Sequence, residues 1–73
     1  MRHKTKYEVV EIKDENYVVL EEFDEKILVA KYVVGEPYIF YTKEYFFLDK
    51  YDCSYSYIDL ESPPKINNIE TAP

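Results

Sequence analysis

Short breaks between β-forming runs are the feature that most constrains this fold. Four runs rich in Val, Ile, Tyr and Phe follow one another, at residues 6–12, 17–23, 27–34 and 38–42. Between them stand KDEN, DEK and GEP, which are three or four residues long and favour turns. Parallel strands need crossovers of about a dozen residues, so connections this short predict an antiparallel meander. Gly35 is the only glycine, and we expect it to have a positive φ.

Residues 43–60 permit two interpretations. EYFFL at 44–48 and CSYSYIDL at 53–60 are typical of two strands, with DKYD at 49–52 as the turn of a second hairpin. The alternative is a short helix at about 43–51, capped by Thr42, with Phe47 and Tyr51 on one face. Tyr and Phe form strands more readily than helices, which favours the hairpin.

The chain of 73 residues has room for one domain. We expect a single small β domain at 1–61 and a flexible tail at 62–73, because SPPKINNIETAP holds three of the four prolines. Five to six short strands predict a mostly β fold, either a small antiparallel meander or a barrel of the SH3-like or OB-like kind. A helix at 43–51 would instead make the fold α+β.

Residues with catalytic or metal-binding chemistry are scarce. The chain has one cysteine, Cys53, and one histidine, His3, whereas structural zinc needs four such ligands and phosphate loops need several glycines. We therefore expect no enzyme, no metal and no cofactor, with Cys53 as a packing residue. A lone thiol, the lack of an 18-residue apolar run and the lack of a signal peptide predict a cytoplasmic protein without a membrane span.

Acidic residues dominate the charge. Fifteen acids against nine bases give a net charge of −6, and residues 8–25 hold eight acids but one lysine. Lys and Arg supply most of the affinity for phosphate backbones, so this composition argues against nucleic acid as a partner. An acidic field instead favours another protein, one with a basic surface.

Aromatic residues are concentrated in one stretch. Residues 37–57 hold nine of the thirteen, and strand alternation places Tyr38 and Phe40 on one face with Ile39 and Tyr41 on the other. Both faces of this strand are thus apolar, and we expect a domain this small to leave part of that surface for a partner. The candidate protein-binding residues are Glu21, Glu22, Asp24, Glu25, Tyr38, Tyr41 and Tyr45.

Together these features predict a small acidic protein-binding module that uses an aromatic surface and an acidic hairpin. Its profile is that of the small proteins with which phages and mobile elements modulate or inhibit a host protein. One alternative is a nucleic-acid-binding β-barrel that stacks bases on its aromatic side chains. A second is a structural subunit of a homo-oligomer, with a homodimer as its simplest form.

Overall fold

Six strands form one mixed sheet in the computed structural model, which describes residues 5–68. The strands are β1 (Lys6–Ile12), β2 (Glu15–Glu22), β3 (Lys26–Val33), β4 (Ile39–Asp49), β5 (Ser54–Asp59) and β6 (Lys65–Asn67), with a 3₁₀ turn at Lys50–Asp52. Their order across the sheet is β5-β1-β2-β3-β4-β6, and only the β4–β6 pair is parallel. The prediction of a mostly β fold built on an antiparallel meander is confirmed for β1 to β4.

The first connection is a tight two-residue turn. Ile12 pairs with Glu15, so Lys13 and Asp14 form the loop, with φ values of 51° and 66°. Positive φ at both central residues is the mark of a type I′ turn, whose twist matches that of the flanking strands.

Gly35 does not have the expected positive φ, so that prediction was wrong. A Cβ built on Gly35 would lie 3.3 Å from the carbonyl oxygen of Pro37. The glycine therefore provides space for a close approach of the backbone and is not needed for a left-handed conformation.

The structure corrects both interpretations of residues 43–60. The runs at 38–42 and 44–48 belong to one strand, β4, which continues to Asp49, so the predicted helix at 43–51 is reduced to the start of the 3₁₀ turn at Lys50. β4 and β5 do not form a hairpin, because β5 pairs with β1 from Lys6↔Asp59 to Glu11↔Ser54. Ala30 of β3 pairs with Tyr45 of β4, whereas the next residue, Lys31, pairs with Tyr41. Residues 42–44 therefore form a bulge, which we call the β4 bulge.

β6 extends the sheet beyond residue 61, where we expected the domain to end. Lys65–Asn67 pair with Ile39–Tyr41, and the Lys65 N–H donates to the Tyr38 carbonyl oxygen at 2.7 Å. The predicted flexible tail is thus wrong for these three residues, because backbone pairing holds them to β4. Residues 62–64 and 68 of that tail belong to no strand, and residues 69–73 lie outside the described part of the chain.

Buried apolar side chains lie on both faces of the sheet. The first face carries the cluster Val9, Val18, Ala30, Phe40 and Leu60. The second face carries Val10, Ile27 and Val29. Neighbouring residues of a strand point to opposite faces, so β1 contributes Val9 to one cluster and Val10 to the other. As a result, the middle of the central strands is covered on both faces, whereas their ends are exposed.

Candidate functional site

Three exposed aromatic side chains lie at the end of the sheet formed by the β2–β3 turn and the second half of β4. Phe23 is 47% exposed, Tyr45 54% and Phe47 56%. The rings of Phe23 and Phe47 contact each other, with centroids 5.9 Å apart. Tyr45 and Phe47 are two residues apart in one strand, so they share a face. Phe23 and Phe47 thus form a contacting pair, and Tyr45 lies two residues from Phe47 on the same face of β4.

The sheet order explains why these side chains stay exposed. Val9, Val18, Ala30 and Tyr45 are successive cross-strand partners, so Tyr45 ends a row whose other members are buried. β6 pairs with residues 39–41 of β4, and no other strand of the described chain flanks residues 45–49. Tyr45 and Phe47 therefore lie on an open edge, where no further strand covers them.

Three carboxylates lie beside these aromatic side chains, and a fourth, that of Glu22, lies on the opposite face of β2. Glu21 is opposite Leu28, which is opposite Phe47, so Glu21 and Phe47 share the first face. Asp24 and Glu25 lie in the turn that the Phe23 N–H closes by donating to the Lys26 carbonyl oxygen at 2.8 Å. We call this surface the aromatic–acidic end; its residues are Glu21, Glu22, Phe23, Asp24, Glu25, Tyr45 and Phe47.

The 3₁₀ turn holds the aromatic–acidic end in place. Lys50 donates its N–H to the Glu25 carbonyl oxygen at 2.9 Å, and its Nζ lies 3.0 Å from Oε2 of Glu22. Glu22 points to the second face and is the one of the four carboxylates with this ion pair. Because Lys50 neutralises Glu22, the acidic field comes chiefly from Glu21, Asp24 and Glu25.

Tyr38 and Tyr41 do not belong to this surface. The β4 bulge separates them from Tyr45, and both are half-buried. Tyr38 stacks on Tyr32, with ring centroids 6.2 Å apart and an interplanar angle of 19°. Burial raises the pKa of the Tyr32 hydroxyl, and the neighbouring Tyr38 raises it further. Tyr38 therefore contributes to the packing of the first face, and Tyr41 is a half-buried residue of β4 that pairs with β6.

The structure adds Phe23 and Phe47, which we did not predict from sequence. Phe23 follows Glu21-Glu22 and precedes Asp24-Glu25, so its position within the acidic hairpin was a visible signal. Phe47 has the same strand alternation as Tyr45. Where both faces of a strand carry aromatic residues, alternation alone does not show which face the rest of the domain covers. The exposed residues therefore could not be told from the packed ones.

Aromatic residues of the second face have a packing role. Tyr17 and Phe46 meet edge to face, with ring centroids 4.7 Å apart and an interplanar angle of 87°. The Tyr17 hydroxyl donates to Oε2 of Glu15 at 2.9 Å. The pKa of Tyr17 is raised, first by burial and then by the bond to Glu15 and its charge. This pair packs on the second face, where Phe46 is still 37% exposed, whereas Tyr45 and Phe47 lie on the first face.

Cys53 has the environment of a packing residue. Its side chain packs against the cluster on the second face, and its Sγ donates to the Asp49 carbonyl oxygen at 3.4 Å. Burial raises the pKa of the thiol, and the charges of Asp52 and Asp49 raise it further. A nucleophilic cysteine needs a lowered pKa, so this environment opposes thiolate chemistry. His3, its one conceivable base, lies outside the described residues.

A cleft of about 840 Å³ lies at the end of the sheet opposite the aromatic–acidic end, between residues 34–38 and 59–62. Its charged side chains are Glu36, Asp59 and Glu61, so it presents no cation to an anionic ligand. Within residues 5–68, no three His, Cys, Asp or Glu side chains are grouped to hold a metal ion. No helix in the same range is long and apolar enough to cross a membrane.

The chain matches no protein-family model, and neither the curated proteins nor the solved structures contain a significant match to it. The geometry of the aromatic–acidic end is therefore the basis for a functional proposal.

Proposed function

We propose that this protein is a small acidic module that binds another protein, one with a basic surface, through the aromatic–acidic end. One observation carries the proposal: three exposed aromatic side chains lie beside three carboxylates, those of Glu21, Asp24 and Glu25, on a domain whose buried clusters do not include them. Exposed aromatic residues without a packing role are more often found at interfaces than on inert surfaces.

The aromatic part of this surface suits the centre of an interface. Each Phe or Tyr offers a large contact area with few rotatable bonds, so little conformational entropy is lost when it is covered. Tyr45 and Phe47 lie on a paired strand, and Phe23 is held by the hydrogen bond that closes its turn. The surface is thus already organised before a partner arrives, which lowers the cost of binding.

The acidic part of the surface defines the chemistry of the partner. Glu21, Asp24 and Glu25 border the aromatic side chains, where they would face Lys and Arg side chains at the rim of an interface. The same carboxylates repel the phosphates of nucleic acid. Where the partner uses its basic surface to hold nucleic acid, binding of this module would inhibit that activity.

The proposal is tested by affinity capture with three forms of the immobilised protein: wild type, Phe47→Ser and Val34→Ser. Val34 is 70% exposed and follows the opposite end of β3, so it is a matched control for the loss of an exposed apolar side chain. A partner that uses the aromatic–acidic end binds wild type and Val34→Ser equally. Its affinity for Phe47→Ser falls about tenfold or more, as expected when a central aromatic residue is removed.

Two further measurements test the dependence of partner binding on salt and the binding of nucleic acid. Binding of the captured partner weakens as NaCl is raised from 50 to 500 mM, because exposed charges are then screened. A complex retained equally by Phe47→Ser, or one indifferent to salt, contradicts the proposal. Fluorescence anisotropy with labelled single-stranded DNA and RNA tests the alternative, and tight binding of either at low salt would favour the base-stacking function instead.

A further inference from the structure

β5 is an edge strand with one unpaired side. It pairs with β1 along its whole length and ends the strand order, so no strand of residues 5–68 flanks its outer side. Its side chains are mostly exposed, and those of Tyr55 and Tyr57 are 39% and 64% exposed. An edge of this kind is a template for another strand unless charge, proline or a bulge protects it.

The backbone groups on the outer side can be identified. The Leu60 N–H donates to the Thr5 carbonyl oxygen at 2.8 Å, so Leu60 directs its backbone groups towards β1. In an antiparallel pair this direction alternates, so Ser54, Ser56 and Ile58 also bond β1. The N–H and C=O groups of Tyr55, Tyr57 and Asp59 therefore point away from β1 and out of the sheet.

The charge distribution selects the occupant of this edge. Residues 53–58, CSYSYI, contain no charged residue, although the chain as a whole has a net charge of −6. Two copies of an acidic protein repel one another least where both are uncharged. The open part of β4 differs, because Glu44, Asp49 and the acidic β2–β3 turn border it. Charge thus favours a basic partner at β4 and a second copy of this chain at β5.

We propose that two copies of this protein form a two-fold dimer in which β5 pairs antiparallel with β5 of the second copy. The two-fold axis passes beside Ser56, so that Ser56 is opposite Ser56 of the other copy and Tyr55 is opposite Tyr57. In this register the outward N–H and C=O groups of Tyr55 and Tyr57 bond each other across the axis. Asp59 is then opposite Cys53 of the other copy, so the two Asp59 carboxylates do not meet. The result is one continuous sheet of twelve strands, twice the six of one copy.

The test is the mass in solution, measured by sedimentation equilibrium from about 1 μM to about 1 mM. The dimer predicts a mass that rises with concentration from 8.8 kDa towards twice that value. Ser56→Lys and Ser56→Asp each place two like charges in direct opposition at the axis and raise the dissociation constant about tenfold or more. An equimolar mixture of the two variants restores the dimer, because Lys is then opposite Asp.

A backbone variant separates strand pairing from side-chain effects. The Tyr57 N–H points away from β1, so Tyr57→Pro removes an outward donor without removing a bond to β1. This variant is monomeric, whereas Tyr57→Thr, which keeps the N–H, still dimerises. A wild-type mass of 8.8 kDa at all concentrations overturns the proposal. A dimer that persists in Ser56→Lys alone and in Ser56→Asp alone also overturns the proposal. So does a dimer that is lost in Phe47→Ser but kept in both Ser56 variants.

Discussion

Removing Phe40 or Phe47 should have very different effects on stability, although both are phenylalanines of β4. Phe40 is 3% exposed, and its ring meets Tyr7 and Tyr32 edge to face at 5.3 and 6.2 Å. Phe40→Ala removes this packing and leaves a cavity, which costs about 3–5 kcal/mol of the free energy of unfolding. A chain of this length has a total of roughly 4–11 kcal/mol. The variant therefore loses a large part of its stability.

Phe47→Ala should cost far less. The side chain is 56% exposed, so less than half of the transfer free energy of a buried Phe, about 1 kcal/mol, is lost. The contact with Phe23 at 5.9 Å adds only a few tenths of a kcal/mol at such an exposed position. No closed cavity forms, because solvent already reaches the ring.

Urea denaturation followed by far-UV circular dichroism measures both variants. The midpoint of Phe40→Ala falls steeply, and Phe40→Leu gives an intermediate, readily fitted value if the alanine variant is largely unfolded in water. A cost for Phe47→Ala that equals that of Phe40→Ala would refute the reasoning. Phe47 would then belong to the core, and the functional proposal would lose its central residue.

Three further outcomes follow from the turn, the thiol and the ion pair. Replacing Lys13-Asp14 by Asn-Gly should raise the free energy of unfolding by about 1 kcal/mol and the melting temperature by about 4–8 °C, because Lys13 and Asp14 have positive φ. The matched change Glu25→Gly, at a turn position without positive φ, should lower stability, and a change of the same sign in both variants would contradict the turn assignment. Burial raises the folded-state pKa of Cys53 above the ordinary value of 9.0. The thiol therefore contributes stability below pH 9.0, and this contribution is lost as the pH rises through the folded-state pKa. Urea midpoints measured from pH 7 to 10 should therefore fall less in Cys53→Ala than in wild type, and parallel curves would contradict the assigned burial. Glu22→Gln should lower the free energy of unfolding by at most about 1 kcal/mol, because the ion pair with Lys50 is partly exposed, and the difference should shrink in 1 M NaCl. A larger loss that does not depend on salt would contradict this expectation.

The meander could be predicted because its determinants are local. The three breaks between the first four runs each consist of turn-forming residues, and their shortness alone required antiparallel neighbours. The positive φ was assigned to Gly35 because glycine tolerates it best, whereas the turn that requires it is formed by Lys13 and Asp14. The break was located correctly, but its predicted four residues, KDEN, are a two-residue loop, because Glu15 and Asn16 already belong to β2.

Pairings between distant segments could not be predicted in the same way. β5 has a clear strand pattern, but nothing in residues 53–60 shows that its partner is β1, about fifty residues earlier. β6 has only three residues, too few for any periodicity, and its partner is parallel. Of the predicted site residues, the acidic hairpin and Tyr45 lie together at the aromatic–acidic end. The separate location of Tyr38 and Tyr41 could not be predicted, because it depends on the β4 bulge and on β6.

The β4 bulge has a consequence for how such a protein can evolve. Residues 39–41 before it hold the core and β6, while Tyr45 and Phe47 after it face outwards. Selection can therefore act on the two halves of a single strand almost independently. Substitutions at 45 and 47 carry little thermodynamic cost, while Phe40 keeps the fold constant, so under the proposed function the binding surface can change without loss of the fold. A single six-stranded sheet can thereby accept changes on one surface without a separate loop to carry them.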